Sequence, residues 1–350
     1  WPATLFRGID QWGERYGYLL VDPIGGAIGA FSMADGINTG GQARTPICQL
    51  PNIEHTEQSF PVLFLYRKEL PDSGGAGQYR GGLSAESCFI PHNTDFITQD
   101  TLSSGNATPT SPGMMGGYPS TTNAYTFLRE TNIFESIQQR TMPGDTSEIS
   151  GREEVLQLRQ ENFQQHAADV YAVRWTGGGG FGDPFDRAPA DIEKDLEDYA
   201  ITPEAARSIY GAVLDTQGNV DIEATAAERA RIRRSRLNGG AGKTRAGELV
   251  FQASPLLDAR RDGQGNYWAC GKCSADLGPL NDNYKHHCIR EDNPVSSSNP
   301  LIGDPARYID DAVSFRQFCC TGCGALIDNE SSGSSDGFLH DGGPGLSMCE

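Results

Sequence analysis

The sequence has no run of about 18 apolar residues, the length a membrane-spanning helix needs, so no membrane span is expected. No charged segment followed by an apolar stretch opens the chain, so no signal peptide is expected either. Positive charge is scarce. Lys and Arg number 28 against 46 Asp and Glu, leaving a formal −18. That balance argues against a phosphate-backbone binder, so no nucleic-acid partner is expected. The first 269 residues are poor in thiols, because seven of the nine Cys lie beyond them. Such crowding reads as a metal module appended to a thiol-poor body, not as a disulfide scaffold, and it fits a cytoplasmic setting. An initiating Met is also missing. The chain starts at Trp1, which reads as a fragment, a processed subunit or an unseen start.

What is present is β-type sequence rich in glycine. At roughly 150 residues per domain, 350 residues suggest two or three domains. RYGYLLVD (15–22), VLFLYRKEL (62–70) and VYAVRW (170–175) carry the β-branched and aromatic residues of strands. Gly/Pro-rich loops such as SSGNATPTSPGMMGGYPSTT (103–122) separate them. REEVLQLRQENFQQH (152–166) is the one segment of this region expected to be helical. From Pro189 the periodicity changes. Helices are expected from Ala190 or Asp191, from Thr202-Pro203-Glu204 with Thr as N-cap and Pro at N1, and over 224–237. The last has Thr225 as N-cap, Glu228 closing a capping box, and Asn238-Gly239-Gly240 as its stop. The expected class is α+β. A β-rich body (1–188) leads to a helical tail (189–238), a linker (239–248), a small zinc-ribbon-like domain (249–330) and a flexible tail (331–350).

Two glycine-rich strings imitate nucleotide motifs. WTGGGGFGDPF (175–185) contains a formal G-x-G-x-x-G at Gly177, Gly179 and Gly182. A dinucleotide fingerprint must open a helix at its last Gly, and Asp183-Pro184 prevents that. The string reads as a close approach of two backbones, or as four backbone N–H groups of the Gly177–Gly182 loop, Gly179 and Gly180 among them, that cradle an anion. NGGAGKT (238–244) would need Gly at position 237 for a phosphate loop, and Leu237 stands there. No ATP motif is usable. The five Arg between Arg229 and Arg236 read as a solvated helix face or a docking surface.

PDSGGAGQYRGG (71–82) sets Asp72, Ser73 and Arg80 among five Gly, directly after a strand. Asp72 and Arg80 are either a structural ion pair or a fork for a carboxylate or phosphate, with Ser73, Gly74 and Gly75 alongside. EHTE (54–57) places His55 between two Glu, which is acid–base chemistry, metal chemistry or polar surface. The strongest chemical signal is Cys270-Gly-Lys-Cys273 with Cys320-Thr-Gly-Cys323. These two knuckles are expected to hold structural zinc in a closed Cys₄ ribbon site. The 46 residues between them exceed the usual spacing. His287 or Cys288 within the insertion, or Cys319 beside the second knuckle, are alternate ligands.

Together, EHTEQSFPVLFLYRKELPDSGGAGQYRGG, ADGINTGGQ (34–42) and GGGGFGDPFDR followed by ITPEAARSIYGAVLD resemble the C-terminal half of the hydantoinase B/oxoprolinase family. The match runs from about residue 15 to about 237. The family includes the second subunit of ATP-dependent hydantoinases, the corresponding half of 5-oxoprolinase, and the large subunits of acetone and acetophenone carboxylases. YWACGKC…FRQFCCTGCGALIDNE separately resembles the small zinc-binding subunit of those carboxylases. The resemblance implies a hetero-oligomer. A hydantoinase A-type ATPase partner would carry ATP and Mg. The family's N-terminal half, with any catalytic divalent metal, would lie on another chain, or the sequence is a fragment of a longer one. It leaves His55, Asp72 and Arg80 as candidates for lining a site completed elsewhere. Three activities are open: an ATP-dependent ketone carboxylase, a cyclic amide hydrolase of the hydantoinase, oxoprolinase or lactamase kind, and a non-catalytic zinc-ribbon assembly subunit.

Overall fold

The computed structural model describes residues 2–41, 50–237, 242–333 and 335–339. The body opens with β1 (Ala3–Ile9) and β2 (Arg15–Leu19), followed by α1 (Ile53–Ser59), β3 (Val62–Glu69), β4 (Ala85–Pro91) and β5 (Phe96–Leu102). It continues with β6 (Ala124–Arg129), α2 (Ile133–Gln138), β7 (Arg152–Glu153), β8 (Arg159–His166) and β9 (Val170–Arg174). The strands form two antiparallel sheets, ordered β2-β1-β5-β8 and β3-β4-β9-β6-β7. The two sheets share one core, in which Phe6, Ile97 and Phe163 of the first meet Phe89, Phe127 and Tyr171 of the second. The Tyr171 hydroxyl is hydrogen-bonded to Thr4 and Thr101 across that core, at 3.1 and 3.2 Å. β4 is buried at every position, because α2 and its flanks cover the second sheet's other face through Ile133 and Ile149. The strand runs expected at 15–22, 62–70 and 170–175 are present as β2, β3 and β9.

The segment 152–166 is not helical. It forms β7 and β8, and β8 pairs with β5. Its helix-favouring Gln and Glu are overruled by tertiary context, because only the alternation of β8 buries both Phe163 and Gln165.

The helical region holds α3 (Pro189–Glu197), α4 (Pro203–Ser208) and α5 (Ile222–Arg236). Thr202 caps α4 as expected, accepting the Ala205 N–H at 3.2 Å. α3 starts one residue earlier than expected, with Pro189 after Ala188. α5 starts three residues before its expected cap. Asp221 is the N-cap, accepting the Ala224 N–H at 2.9 Å. Thr225 instead turns inward and accepts the Val213 N–H. The expected stop at Asn238-Gly239-Gly240 and linker residues 239–241 lie outside the described residues, as do 334 and 340–350 of the expected tail.

The last region has two small sheets. One contains β10 (Glu248–Ser254), β11 (Leu257–Asp262), β12 (Gly265–Cys270) and β13 (Asp276–Pro279). The other contains β14 (Ile289–Pro294), β15 (Val313–Cys319) and β16 (Leu326–Gly333). They pack together around Trp268, Leu277, Ala325 and Ile327.

Between these parts, backbone packs directly on backbone. Residues 28–39, 73–82, 111–118 and 177–182 run as threads joined by main-chain bonds. Gly75 N–H donates to Gly178 O at 2.8 Å, Gly178 N–H to Gly82 O at 2.9 Å, and Gly82 N–H to Ile28 O at 2.9 Å. Only glycine permits this spacing. A Cβ on Gly81 would lie 1.9 Å from Gly178 O, and one on Gly179 would lie 2.0 Å from Pro112 O.

Candidate metal centre

β12 and β15 each end in a knuckle with the same backbone pattern. Ser274 N–H donates to Cys270 O and Cys270 N–H to Ala275 O, at 2.8 and 2.9 Å. In the second knuckle Gly324 N–H donates to Cys320 O and Cys320 N–H to Ala325 O, at 2.9 and 2.8 Å. Each turn closes through a left-handed residue, Ser274 at φ 58° and Gly324 at φ 70°. The two turns face one another and converge four thiols. Cys270 and Cys323 Sγ are 3.8 Å apart, Cys273 and Cys320 Sγ are 3.5 Å apart, and all four lie within 4.8 Å of one another. A tetrahedron with metal–sulfur bonds of about 2.3 Å has edges of about 3.8 Å, so these four residues fit a tetrathiolate metal ion. Such a set leaves no open position, so the ion would cross-link the fold and not bind substrate. Cys270 and Cys320 are buried within the small apolar cluster, where the ion would add to a modest core.

The alternate ligands lie outside this group. His287 Nε2 is hydrogen-bonded to Asp282 at 2.8 Å. Cys319 is buried in the apolar cluster against the helices, where burial pushes its thiol up to about 12. Cys288 packs beside the ribbon core, and burial raises its thiol as well.

The candidates in the body have other partners. Asp72 and Arg80 do not pair with each other. Asp72, at φ 63°, accepts the Thr202 N–H and Oγ1–H, both at 2.8 Å, and so anchors the start of α4. Burial raises its carboxyl above the usual range against those two bonds. Arg80 is buried, with Nε 3.3 Å from Asp195 and Nη1 donating to Gly81 O at 2.7 Å. Arg187, 1% exposed, bridges Asp195 at 2.7 Å and Asp35 at 2.8 Å. Burial would raise Asp35, but the bonds from Arg187 overcome it and hold its carboxyl below the usual range. Asp35, Arg187 and Asp195 were not among the expected site residues. They are scattered over 160 positions, so no spacing exposes them.

Ser73 is fully buried, donating to Leu70 O and accepting the Ser84 N–H. The donors of the expected anion cradle at residues 178–182 are taken up by neighbouring backbone and by Ser111. Gly179 N–H donates to Ser111 Oγ, Gly180 N–H to Tyr118 O and Phe181 N–H to Tyr79 O. Gly74, Gly75, Gly179 and Gly180 are packing residues, each with backbone within 2.2 Å of a would-be Cβ. His55 stands exposed on α1. Replacing Arg80 by Met leaves Asp195 short of one of its two guanidinium partners in a buried network. The expected cost is about 3 kcal/mol of stability, read by denaturant unfolding. Unchanged stability would remove Arg80 from this structural role.

The metal region is fastened to the body. Lys272, inside the first knuckle, reaches Asp186 at 2.5 Å. Leu326 N–H donates to Asp183 Oδ2 at 3.2 Å, and Arg236 Nη1 to Gly324 O at 3.1 Å. Gln317 Nε2 donates to Tyr118 OH at 2.8 Å. One apolar cluster joins Ala76 and Tyr118 of the body, Ile192 and Tyr210 of the helical region, and Phe315 and Leu326 of the last sheet.

With this geometry in place, the family model for hydantoinase B/oxoprolinase matches residues 1–184. The chain belongs to the hydantoinase B/oxoprolinase family. A second family model, the acetone carboxylase gamma subunit, matches residues 248–348, which include all four knuckle cysteines. The acetone carboxylase alpha subunit of Xanthobacter autotrophicus is 29% identical over 249 residues, 66% of this chain and 32% of that protein. The acetophenone carboxylase delta subunit of Aromatoleum aromaticum is 28% identical over 240 residues, 65% of this chain and 35% of that one. The caprolactamase subunit beta of Pseudomonas jessenii is 31% identical over 179 residues, 51% of this chain and 28% of that one. The nucleotide-free acetone carboxylase structure superposes with a TM-score of 0.61 at 27% identity, over 69% of this chain and 34% of that one. The chain spans about a third of the length of the curated relatives it matches. No helix among the described residues is long and apolar enough to cross a membrane.

Proposed function

We propose that this hydantoinase B-family chain is part of an ATP-dependent carboxylase that joins bicarbonate to a small ketone. One observation carries the reading: a hydantoinase B-type body and an acetone carboxylase gamma-type module occur in a single chain. The alpha and delta subunits it resembles come from acetone and acetophenone carboxylases. In this reading the four knuckle cysteines hold structural zinc in the expected ribbon-like domain (249–330). A partner ATPase with its own Mg activates substrate and bicarbonate, and the rest of the family fold supplies any catalytic metal. The assembly would work in the cytoplasm. Asp72 and Arg80 support the site's scaffold and do not touch the substrate.

A second reading, hydrolysis of a cyclic amide, is favoured by the likeness of the body to a caprolactamase subunit. The two separate on one measurement. The complex purified with its natural partners is given ATP, labelled bicarbonate and either a methyl ketone or a lactam. The carboxylase reading expects label in a 3-oxo acid, trapped by reduction to the 3-hydroxy acid before it decarboxylates, with turnover abolished when bicarbonate is withheld. Ring opening of the lactam at full rate without bicarbonate would overturn it.

A further inference from the structure

The face of α5 toward the second knuckle carries more positive charge than the surrounding carboxylates balance. Arg233 pairs with Asp183 at 2.7 Å and Asp186 at 2.9 Å, and Lys272 shares Asp186. Arg229 is 8% exposed and donates only to the carbonyls of Tyr210 and Arg187, and its Nη2 is buried without a partner among the described residues. Arg236 lies over the Phe185 ring at 5.0 Å and donates to Gly324 O, with no carboxylate at ion-pair distance among the described residues. Among the described residues, Arg229, Arg233, Arg236 and Lys272 therefore share two paired carboxylates, Asp183 and Asp186. A cavity of about 440 Å³ beside them is lined by Phe185, Arg229, Arg233, Arg234 and the ligand Cys323. A Cβ at Gly324 would lie 2.1 Å from Arg233 O, so the knuckle and the helix are in backbone contact.

A divalent ion held by four thiolates carries a net −2, and binding it releases the protons of whichever thiols are protonated. We propose that the metal–tetrathiolate centre is the counter-charge of the α5 arginines, so that metal occupancy latches the helical region and the ribbon to the body. Arg229, Arg233 and Arg236 are then positioning residues for the charge of the centre. The inference rests on metal binding at the four cysteines and not on the carboxylase reading.

Hydrogen–deuterium exchange of the full chain, as purified with zinc and after chelation, tests it. Chelation is expected to raise exchange in α5 at least tenfold while β4 and β9 keep their protection. In the chelated protein, added sodium sulfate is expected to restore part of the α5 protection by supplying anions. Arg236→Gln keeps a donor toward Gly324 but removes a charge, and is expected to shrink the loss on chelation. Two results would overturn the proposal. One is α5 protection indifferent to chelation. The other is an equal loss with or without sulfate and in Arg236→Gln, which would assign the latch to packing alone.

Discussion

Cys320→Ser is expected to lower the metal content of the purified chain from one ion to near none, with cooperative melting of the ribbon region. Cys320 is fully buried, and its Sγ is one apex of the four-thiol group. The serine hydroxyl is a weak ligand in its neutral form, so three thiolates remain around an ion that needs four donors. Structural zinc contributes on the order of 10 kcal/mol to the folding of small domains. The apolar cluster around Trp268, Leu277 and Ala325 is too small to replace that amount. Elemental analysis reads the first effect, and limited proteolysis across 242–333 reads the second. His287→Ala and Cys288→Ser are expected to retain the ion, since neither residue joins the group. Retention of stoichiometric metal by Cys320→Ser, or its loss in either control, would refute the assignment.

Gly81→Ala carries the other large effect, an expected destabilisation of more than about 4 kcal/mol or no soluble protein. Its Cβ would sit 1.9 Å from Gly178 O and 2.8 Å from Gly179 O. Both contacts are backbone, so no rotamer change can relieve them, and the threads themselves must separate. Separation breaks the bonds that join Gly75 to Gly178 and Gly178 to Gly82. Gly263→Ala is the matched control, because nothing lies within 4 Å of its would-be Cβ. It is expected to change stability by less than about 0.5 kcal/mol. Chemical denaturation of the two variants gives the comparison, and equal midpoints would sink the packing argument.

The four-thiol group was legible in the sequence because a knuckle is local. Two cysteines three apart, each pair with a glycine in its turn, specify ligand type and geometry before any tertiary contact forms. The body strands were legible for the same reason, since β3 and β9 carry their β-branched and aromatic residues in continuous runs. β8 was not. Its Gln- and Glu-rich composition favours a helix, and only pairing with β5 makes the alternation at Phe163 and Gln165 meaningful. The glycines of 177–182 were visible but misleading. A free loop offers N–H donors to an anion, and the same string here has spent those of residues 178–182 on the threads at 73–82 and 111–118. Arg80 and Asp72 likewise looked like a pair because they share a loop. Their partners, Asp195 and Thr202, come from helices more than 100 residues later.

The threads at 28–39, 73–82, 111–118 and 177–182 have a consequence for the order of events during synthesis. None of them can complete its bonds until the last has emerged, because Gly178, Gly179 and Gly180 bond to the threads at 73–82, 28–39 and 111–118 in turn. Contacts of such sequence separation close slowly and late. The first sheet alone cannot reach its final form before β8 at residue 166, and the bundle must wait for residue 182. The centre of this fold therefore stays unassembled until Gly182 has been synthesised, which makes dependence on a chaperone during translation measurable by ribosome-stalled lengths on either side of Gly182.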